Sequence, residues 1–162
     1  MDAWRGSEEP YRELGVDARW HHMIIVVNRD GEIIEDWTQW DHMFKRPHAI
    51  YISPYDPEKR VWVVDDHSHA IYIFSNDGSQ HLQTIGTPNE SGADATHFNR
   101  PTFVAWGPDG SFYVADGYNG TRVAKFDQDG NFLLDFGQAG NAGSIKISFM
   151  VWLLTLILVG FL

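Results

Sequence analysis

The sequence predicts an all-β fold built from repeated antiparallel units, and two observations support this prediction. A short apolar segment runs into an Asp-Gly turn, followed by a second strand-like segment, at Asp30-Gly31, Asp77-Gly78 and Asp129-Gly130. These turns lie 47 and then 52 residues apart along the chain. Asp-Gly between apolar segments is a strong hairpin signal. A recurrence at this distance indicates one supersecondary unit repeated along the chain.

The first repeat begins at Met23 and contributes one predicted hairpin. Its strands are expected at residues 24–27 and 32–37, with the turn at 28–31 between them. Residues 1 to about 19 are polar and have no clear period. They are expected to form a loop or the remnant of a preceding unit.

The next two repeats each contain four predicted strands. Those of the second repeat are expected at residues 48–52, 60–65, 70–74 and 81–85, and those of the third at residues 102–106, 112–116, 121–126 and 131–136. Four antiparallel strands in about 50 residues are typical of a β-propeller blade. The chain is therefore predicted to form a partial propeller of about 2.5 to 3 blades. Hairpin repeats in a β-sandwich are the alternative.

Composition limits the classes of partner and chemistry. The net charge of −10 argues against a nucleic-acid partner, because phosphate binding requires clustered Lys and Arg. The absence of Cys excludes disulfides, thiolate metal sites and cysteine nucleophiles. The charged N-terminal sequence has no apolar core, so no secretory signal peptide is predicted, and the compartment stays open.

The predicted organisation has three parts: an N-terminal remnant or blade edge at 1–22, the propeller blades at 23–140, and an apolar segment at 145–162. Residues 147–162 are almost wholly apolar and uncharged, and a helix is expected there. Their 16 residues fall slightly short of the roughly 17–25 that span a bilayer. Two interpretations stay open. The segment is a membrane anchor bordered by Lys146, or it is a departure of the reading frame from the true repeat.

Histidines and carboxylates are the candidate metal ligands in a chain without Cys. His48 follows Pro47 at the start of the second repeat. The first strand of a propeller blade is innermost, so an imidazole there can point into the central channel and suits a zinc ion. The alternative is a structural histidine at the channel mouth. His67 and His69 lie two apart in a loop, which indicates either a surface metal site or a solvated loop.

Asp65 and Asp116 occupy the same place in successive repeats, at the end of the second strand. A carboxylate there is expected to accept backbone N–H bonds and to fix the following turn.

The segment from Arg100 to Val123, with Arg-Pro-Thr at its start and Asp-Gly-Tyr-Asn-Gly near its end, resembles an NHL repeat. Residues 18–140 as a whole resemble the peptidyl-α-hydroxyglycine α-amidating lyases, which are six-bladed NHL propellers. The resemblance implies a lyase that breaks the C–N bond of a peptide ending in α-hydroxyglycine, releasing an amidated peptide and glyoxylate. It also implies Zn and Ca as cofactors.

The resemblance places four functional residues. The family's zinc-binding Pro-His motif is matched at Pro47-His48, which makes His48 a Zn ligand, and the backbone carbonyl of Ile50 matches a Ca ligand. The family's catalytic tyrosine corresponds to Tyr118, expected to act as the base. Its active-site arginine corresponds to Arg19, expected to anchor the substrate.

The sequence also departs from the family. Ala49 stands where the motif has glycine, and Asn99 and Asn119 stand where animal members carry a disulfide. The family's second and third zinc-binding histidines lie in later blades. Thr102 stands where His48 would recur, which fits the family's use of alternating blades. The chain as given is therefore expected to be an inactive part of a longer enzyme, since it supplies one zinc ligand.

Three functions follow as alternatives. The first is the lyase-related metalloenzyme, acting on a peptide or small-molecule substrate. The second is a non-catalytic NHL propeller that binds protein or peptide. The third is a membrane-tethered partial propeller that completes itself by oligomerising, although open strand edges disfavour it.

Overall fold

The computed structural model describes residues 4–6 and 18–137, and within them the chain forms twelve β-strands and one short 3₁₀ helix. The all-β prediction is confirmed. The number of propeller blades stays a prediction, and the expected helix at 145–162 lies outside the described residues. No helix in the described ranges has the length and apolar character needed to cross a membrane.

The chain divides into two compact units, residues Met1–Pro47 and His48–Leu162. The first holds two antiparallel strand pairs, β1 Trp4–Gly6 with β2 Ala18–Trp20 and β3 Ile25–Val27 with β4 Ile33–Asp36, followed by a 3₁₀ helix at Thr38–Met43.

One feature of this unit differs from the sequence prediction, since no helix was predicted after β4. The N-terminal region, expected to be a loop or the remnant of a unit, contains the β1–β2 pair. A loop is therefore wrong for these strands, and the remnant stays a prediction. The carboxylate of Asp41, in the 3₁₀ helix, accepts the N–H groups of His22 at 3.0 Å and Met23 at 3.1 Å. The helix is thus tied to the segment before β3 by a contact between residues distant in sequence.

The second unit contains two four-stranded sheets. The first sheet consists of β5 Pro47–Ile52, β6 Val61–Asp65, β7 Ala70–Phe74 and β8 His81–Ile85, and the second of β9 Pro101–Trp106, β10 Phe112–Asp116, β11 Arg122–Phe126 and β12 Phe132–Phe136. Strands that follow one another in the sequence are neighbours in each sheet. The predicted strands agree with the observed bounds to within one residue at each end.

An apolar core joins the two sheets of this unit. The Trp62 ring on β6 packs edge-on against Trp106 on β9, at 5.2 Å between centroids, and against Phe112 on β10, at 4.9 Å. β6 and β7 are wholly buried, whereas most of β12 is exposed. The core cluster comprises Trp62, Val64, Ile71, Ile73, Ile85, Phe98, Val104, Trp106, Phe112, Val114, Ala124 and Phe126. Burial of this apolar surface fixes the ends of β6 and β10, where the candidate site lies.

The Asp-Gly turns at residues 30–31, 77–78 and 129–130 share one geometry. Each glycine adopts a positive φ, which favours glycine over other residues: +83° at Gly31, +65° at Gly78 and +88° at Gly130. In each turn a side-chain oxygen accepts the N–H of the residue that enters the second strand, from Asn28, Ser75 and Asp127 respectively. Each hairpin also shows a register shift near the turn, as a β-bulge produces.

Candidate functional site

His48, at the start of β5, is held by two contacts from the second sheet. Its Nδ1 lies 3.1 Å from the backbone oxygen of Thr102, and its Nε2 lies 3.0 Å from the Tyr118 hydroxyl. A carbonyl oxygen can only accept, so Nδ1 carries the ring proton. In the neutral ring Nε2 then holds the lone pair and accepts the Tyr118 O–H.

Tyr118 lies in the turn between β10 and β11, and 46% of its surface is exposed. Its ring stands edge-on to the His48 imidazole, with centroids 5.2 Å apart and planes at 77°. The structure therefore brings together two residues that are 70 positions apart in the sequence and that the resemblance identified separately. Their arrangement leaves an imidazole lone pair and a phenol side by side, with the phenol open to solvent.

Backbone hydrogen bonds hold the Tyr118 turn to the segment before β9. The Arg100 carbonyl accepts the N–H groups of Gly117 at 3.3 Å and Tyr118 at 3.1 Å. The Asn99 carbonyl accepts those of Asn119 at 3.3 Å and Gly120 at 2.8 Å. Asn99 and Asn119 stand where animal members of the resembled family carry a disulfide. Here a backbone hydrogen bond joins the same two positions.

Gly120 permits this turn to close tightly. A Cβ atom at this position would lie 2.3 Å from the Asp116 backbone oxygen and 2.7 Å from its carboxyl carbon. Both distances are below any normal contact, and the backbone oxygen cannot rotate away. The turn that presents Tyr118 therefore requires glycine here.

Gly120→Ala is expected to lower the free energy of unfolding by about 1–3 kcal/mol, because overpacking forces the backbone to shift. Gly107→Ala is a matched control, since its Cβ would meet only the side-chain oxygens of Asp109 and Ser111. Urea unfolding of both variants measures the difference. Equal losses in the two variants would contradict the assigned role of Gly120.

Arg100 and Asp66 also belong to this site, and sequence reasoning missed both roles. The Arg100 guanidinium carbon lies 4.7 Å from the centre of the Tyr118 ring. Its Nε and Nη2 donate to one carboxylate oxygen of Asp66, at 2.9 and 2.7 Å. The Asp66 side chain has no exposed surface. The sequence did offer a signal for Arg100, because an Arg-Pro pair stands at the start of β9, as Arg100-Pro101, and again at the start of β5, as Arg46-Pro47.

A second arginine, Arg122, stabilises the same turn through Asp116, the last residue of β10. Its buried guanidinium donates to Asp116 at 3.1 Å and to Asp135 at 2.7 Å. It also donates to the backbone oxygens of Asp94 and His97, at 2.8 and 2.6 Å. Burial raises the pKa of the Asp116 carboxyl, while a hydrogen bond from the Asn99 N–H and the Arg122 guanidinium oppose that rise.

The structural role predicted for the repeated carboxylates is confirmed for Asp65 and only in part for Asp116. Asp65 accepts the N–H groups of His67 at 3.1 Å and Ser68 at 2.8 Å, within the turn that follows it. Asp116 accepts the N–H of Asn99 at 2.7 Å. That bond ties the connection between the sheets to the end of β10 instead of fixing the next turn.

The solvated loop predicted around His67 and His69 is wrong. Both residues are partly buried, and the Asp66 and Ser68 side chains beside them are buried. His69 Nδ1 accepts the Arg100 N–H at 3.1 Å, which consumes one potential ligand atom. His67 Nε2 is buried and has no hydrogen-bond partner among the described residues.

The remaining predicted site residues keep their roles as predictions. Ile50 lies in β5 with 48% of its surface exposed. Arg19 lies in β2, opposite Arg5 of β1. Within the part of the chain that the structure describes, no group of three or more His, Asp or Glu side chains is arranged to hold a metal ion. His48 by itself fits a ligand, because Nδ1–H bound to a carbonyl is the usual arrangement of a metal-binding imidazole.

Comparisons with known proteins identify relatives along most of the chain. No family model matches. A probable peptidyl-alpha-hydroxyglycine alpha-amidating lyase of Caenorhabditis elegans is 30% identical over 116 residues, covering 72% of this chain and 32% of the relative. Peptidyl-alpha-hydroxyglycine alpha-amidating lyase 1 of Drosophila melanogaster is 34% identical, covering 67% of this chain and 19% of the relative. NHL repeat-containing protein 3 of Mus musculus is 26% identical, covering 72% and 35% respectively.

These matches span about a third or less of the length of each relative. The relatives found at 26–34% identity are amidating lyases and an NHL repeat protein, which agrees with the NHL pattern in the sequence. The four-stranded antiparallel sheets of the second unit are consistent with the same pattern. The chain belongs to an NHL-repeat family related to the peptidyl-alpha-hydroxyglycine alpha-amidating lyases.

Proposed function

We propose that this chain forms part of a lyase-like metalloenzyme that cleaves the C–N bond of a peptide ending in α-hydroxyglycine. One observation supports this most directly, the 3.0 Å contact between His48 Nε2 and the half-exposed Tyr118 hydroxyl. A candidate metal ligand and a candidate proton acceptor lie together at an accessible position. Relatives named as amidating lyases support the same class of activity.

The reaction requires a proton to move from the substrate hydroxyl to the departing nitrogen. As the hydroxyl loses its proton, a carbonyl forms on the former α-carbon and the C–N bond breaks, giving glyoxylate and an amidated peptide. Once its own proton has been lost to solvent, Tyr118 would accept the hydroxyl proton and return it to the leaving nitrogen. The Thr102 carbonyl would keep the His48 ring oriented throughout, because it fixes the proton on Nδ1.

Zinc and calcium are the proposed cofactors. His48 would hold zinc through the Nε2 lone pair that accepts the Tyr118 O–H in this structure, so the hydroxyl would give up that acceptor when the ion is bound. The ion would supply stabilisation of the negative charge on the substrate oxygen. Catalytic zinc sites usually have three protein ligands, so the proposal requires further ligands from residues outside those described. The Ile50 carbonyl is the proposed calcium ligand, and Arg19 is the proposed anchor for the substrate. A six-bladed propeller is the proposed frame for the complete site.

Tyr118→Phe tests this function, because it keeps the ring and removes only the hydroxyl. In the zinc-loaded full-length protein, glyoxylate release from a peptide ending in α-hydroxyglycine is expected to fall about 100-fold in kcat. KM should change little. Tyr55→Phe is a matched control, since Tyr55 is equally exposed, at 46%, and is not part of the site. Equal kcat values for Tyr118→Phe and the wild type would rule out the proposed base.

A non-catalytic NHL propeller that binds protein or peptide is the second candidate. The similarity to NHL repeat-containing protein 3, a relative whose name states no activity, favours it. This candidate predicts binding of a peptide without glyoxylate release, even when zinc is supplied. The segment at 147–162 would tether such a module if it is a membrane anchor.

A further inference from the structure

We propose that Arg100, anchored by Asp66, is a positioning residue that fixes the Tyr118 ring against His48. This inference rests on the proposed function, since it concerns the residue assigned there as the base. It adds two residues to the site that the sequence comparison with the family did not assign. Neither is expected to touch the substrate.

The Tyr118 ring lies between the Arg100 guanidinium and the His48 imidazole. On one side the Arg100 guanidinium carbon lies 4.7 Å from the ring centre, a distance at which a cation is attracted to the face of an aromatic ring. On another side the His48 imidazole meets the ring edge-on and accepts its hydroxyl. Because Tyr118 is otherwise half exposed, these contacts decide where its hydroxyl points.

Asp66 prevents the guanidinium from moving freely. Two N–H groups of Arg100 converge on one Asp66 oxygen, and the carboxylate is fully buried. A buried carboxylate that lost this cation would keep its desolvation cost while losing the attraction that offsets much of it. The pair is therefore held more firmly than an exposed ion pair would be.

The Arg100 backbone supports the same turn as its side chain. Its carbonyl accepts the N–H of Tyr118 itself, and its own N–H donates to His69. Arg100 adopts φ +67°, a left-handed conformation uncommon for a residue with a side chain. The surrounding hydrogen bonds maintain this conformation, which directs the guanidinium toward the ring.

Arg100 also connects the two sheets of the second unit. Asp66 follows β6 in the first sheet, whereas Tyr118 follows β10 in the second. The guanidinium therefore contacts both the turn after β6 and the turn after β10, and it holds Tyr118 at a fixed place relative to Asp66. His48, on β5, contacts Tyr118 across the same boundary, so two contacts fix the geometry of the pair.

The test compares Arg100→Asn with Arg100→Lys and with Arg60→Asn. Asn is neutral and tolerates a positive φ better than most residues, so the backbone path is retained. Lys keeps the cation but lacks the planar fork. Arg60 forms a similar ion pair with a buried carboxylate, Asp56, and is the matched control. Nuclear magnetic resonance of protein labelled on tyrosine rings provides a direct readout, with the Tyr118 signal identified by its loss in Tyr118→Phe.

Arg100→Asn is expected to move the Tyr118 ring resonance, whereas Arg60→Asn leaves it in place. The same variant should lower kcat/KM by roughly 10- to 100-fold, because a small displacement of a reacting group is costly. Arg100→Lys should fall between the wild type and Arg100→Asn. In a Tyr118→Phe background the Arg100→Asn loss should disappear, since the two residues act through one hydroxyl.

An unchanged Tyr118 resonance in Arg100→Asn would overturn the proposal, as would an undiminished loss in the Tyr118→Phe background. If the wild-type protein cleaves no peptide ending in α-hydroxyglycine, the proposed function fails. The ring resonances still decide the positioning role in that case, because they require no turnover.

Discussion

Arg122→Met is expected to lower the free energy of unfolding by about 3–5 kcal/mol, because it leaves the buried Asp116 carboxylate without its cation. It also removes the donor to the backbone oxygens of Asp94 and His97, so the connection between the two sheets loses its tether. The lost contact with Asp135 matters less, since 41% of that side chain is exposed. Urea unfolding measures the loss.

The pH dependence of this loss identifies its cause. Burial already raises the pKa of Asp116, and removing Arg122 takes away a group that opposes the rise. A folded-state pKa above the unfolded value means that the folded state binds the proton more tightly. The deficit of the variant is therefore largest near neutral pH and shrinks as the pH falls through the raised pKa.

A second substitution separates charge from packing. Adding Asp116→Asn to Arg122→Met removes the unpaired charge and retains an acceptor for the Asn99 N–H. Part of the lost stability should return at neutral pH. A deficit in Arg122→Met that is independent of pH, and is not relieved by Asp116→Asn, would show that lost packing and not the unpaired carboxylate is the cause.

His48→Ala is expected to abolish zinc binding and glyoxylate formation by the full-length protein. The imidazole presents Nε2 with a lone pair, and Ala offers no ligand in its place. Catalytic zinc sites usually have three protein ligands, so the proposed site would no longer hold the ion firmly after one is lost. Metal analysis of purified protein should find zinc in the wild type and almost none in the variant.

His42→Ala is the control for this experiment. His42 is exposed, and its Nδ1 lies 2.9 Å from the Gln39 carbonyl within the 3₁₀ helix. Its removal should leave the zinc content unchanged. A comparison of unfolding midpoints detects any general loss of folding in either variant. Equal zinc in His48→Ala and the wild type would refute the assignment of His48 as a ligand.

Much of the strand structure could be predicted, because each hairpin is specified locally. The Asp-Gly turns and the apolar segments beside them fixed the strands of the second unit to within one residue. The β1–β2 pair and the 3₁₀ helix at Thr38–Met43 could not be predicted in the same way. The first lies in a polar region without a period, and the second depends on contacts of Asp41 with residues 18 and 19 positions away.

The site was only half predictable for a similar reason. His48 and Tyr118 lie in short motifs that a resemblance can identify. Neither motif predicts that the two side chains contact each other. Arg100 and Asp66 are 34 residues apart, and their roles arise only when two sheets pack together. The loop around His67 has polar residues typical of a solvated segment, yet it is partly buried, and His69 in it accepts the N–H of Arg100, 31 residues away.

The shared geometry of the Asp-Gly turns has a consequence for how such a chain diverges. Asn28, Ser75 and Asp127 perform the same task with different functional groups, so what each turn requires is an oxygen acceptor and not a particular residue. Exchange among these three types is close to neutral, and the interior of a repeat can drift while its shape persists. Arg100 differs, because its guanidinium binds Asp66 after β6 while its carbonyl accepts the N–H of Tyr118 after β10, and a single oxygen acceptor cannot replace both contacts. Substitutions are therefore expected to be tolerated more readily in these turns than at the junction between the two sheets.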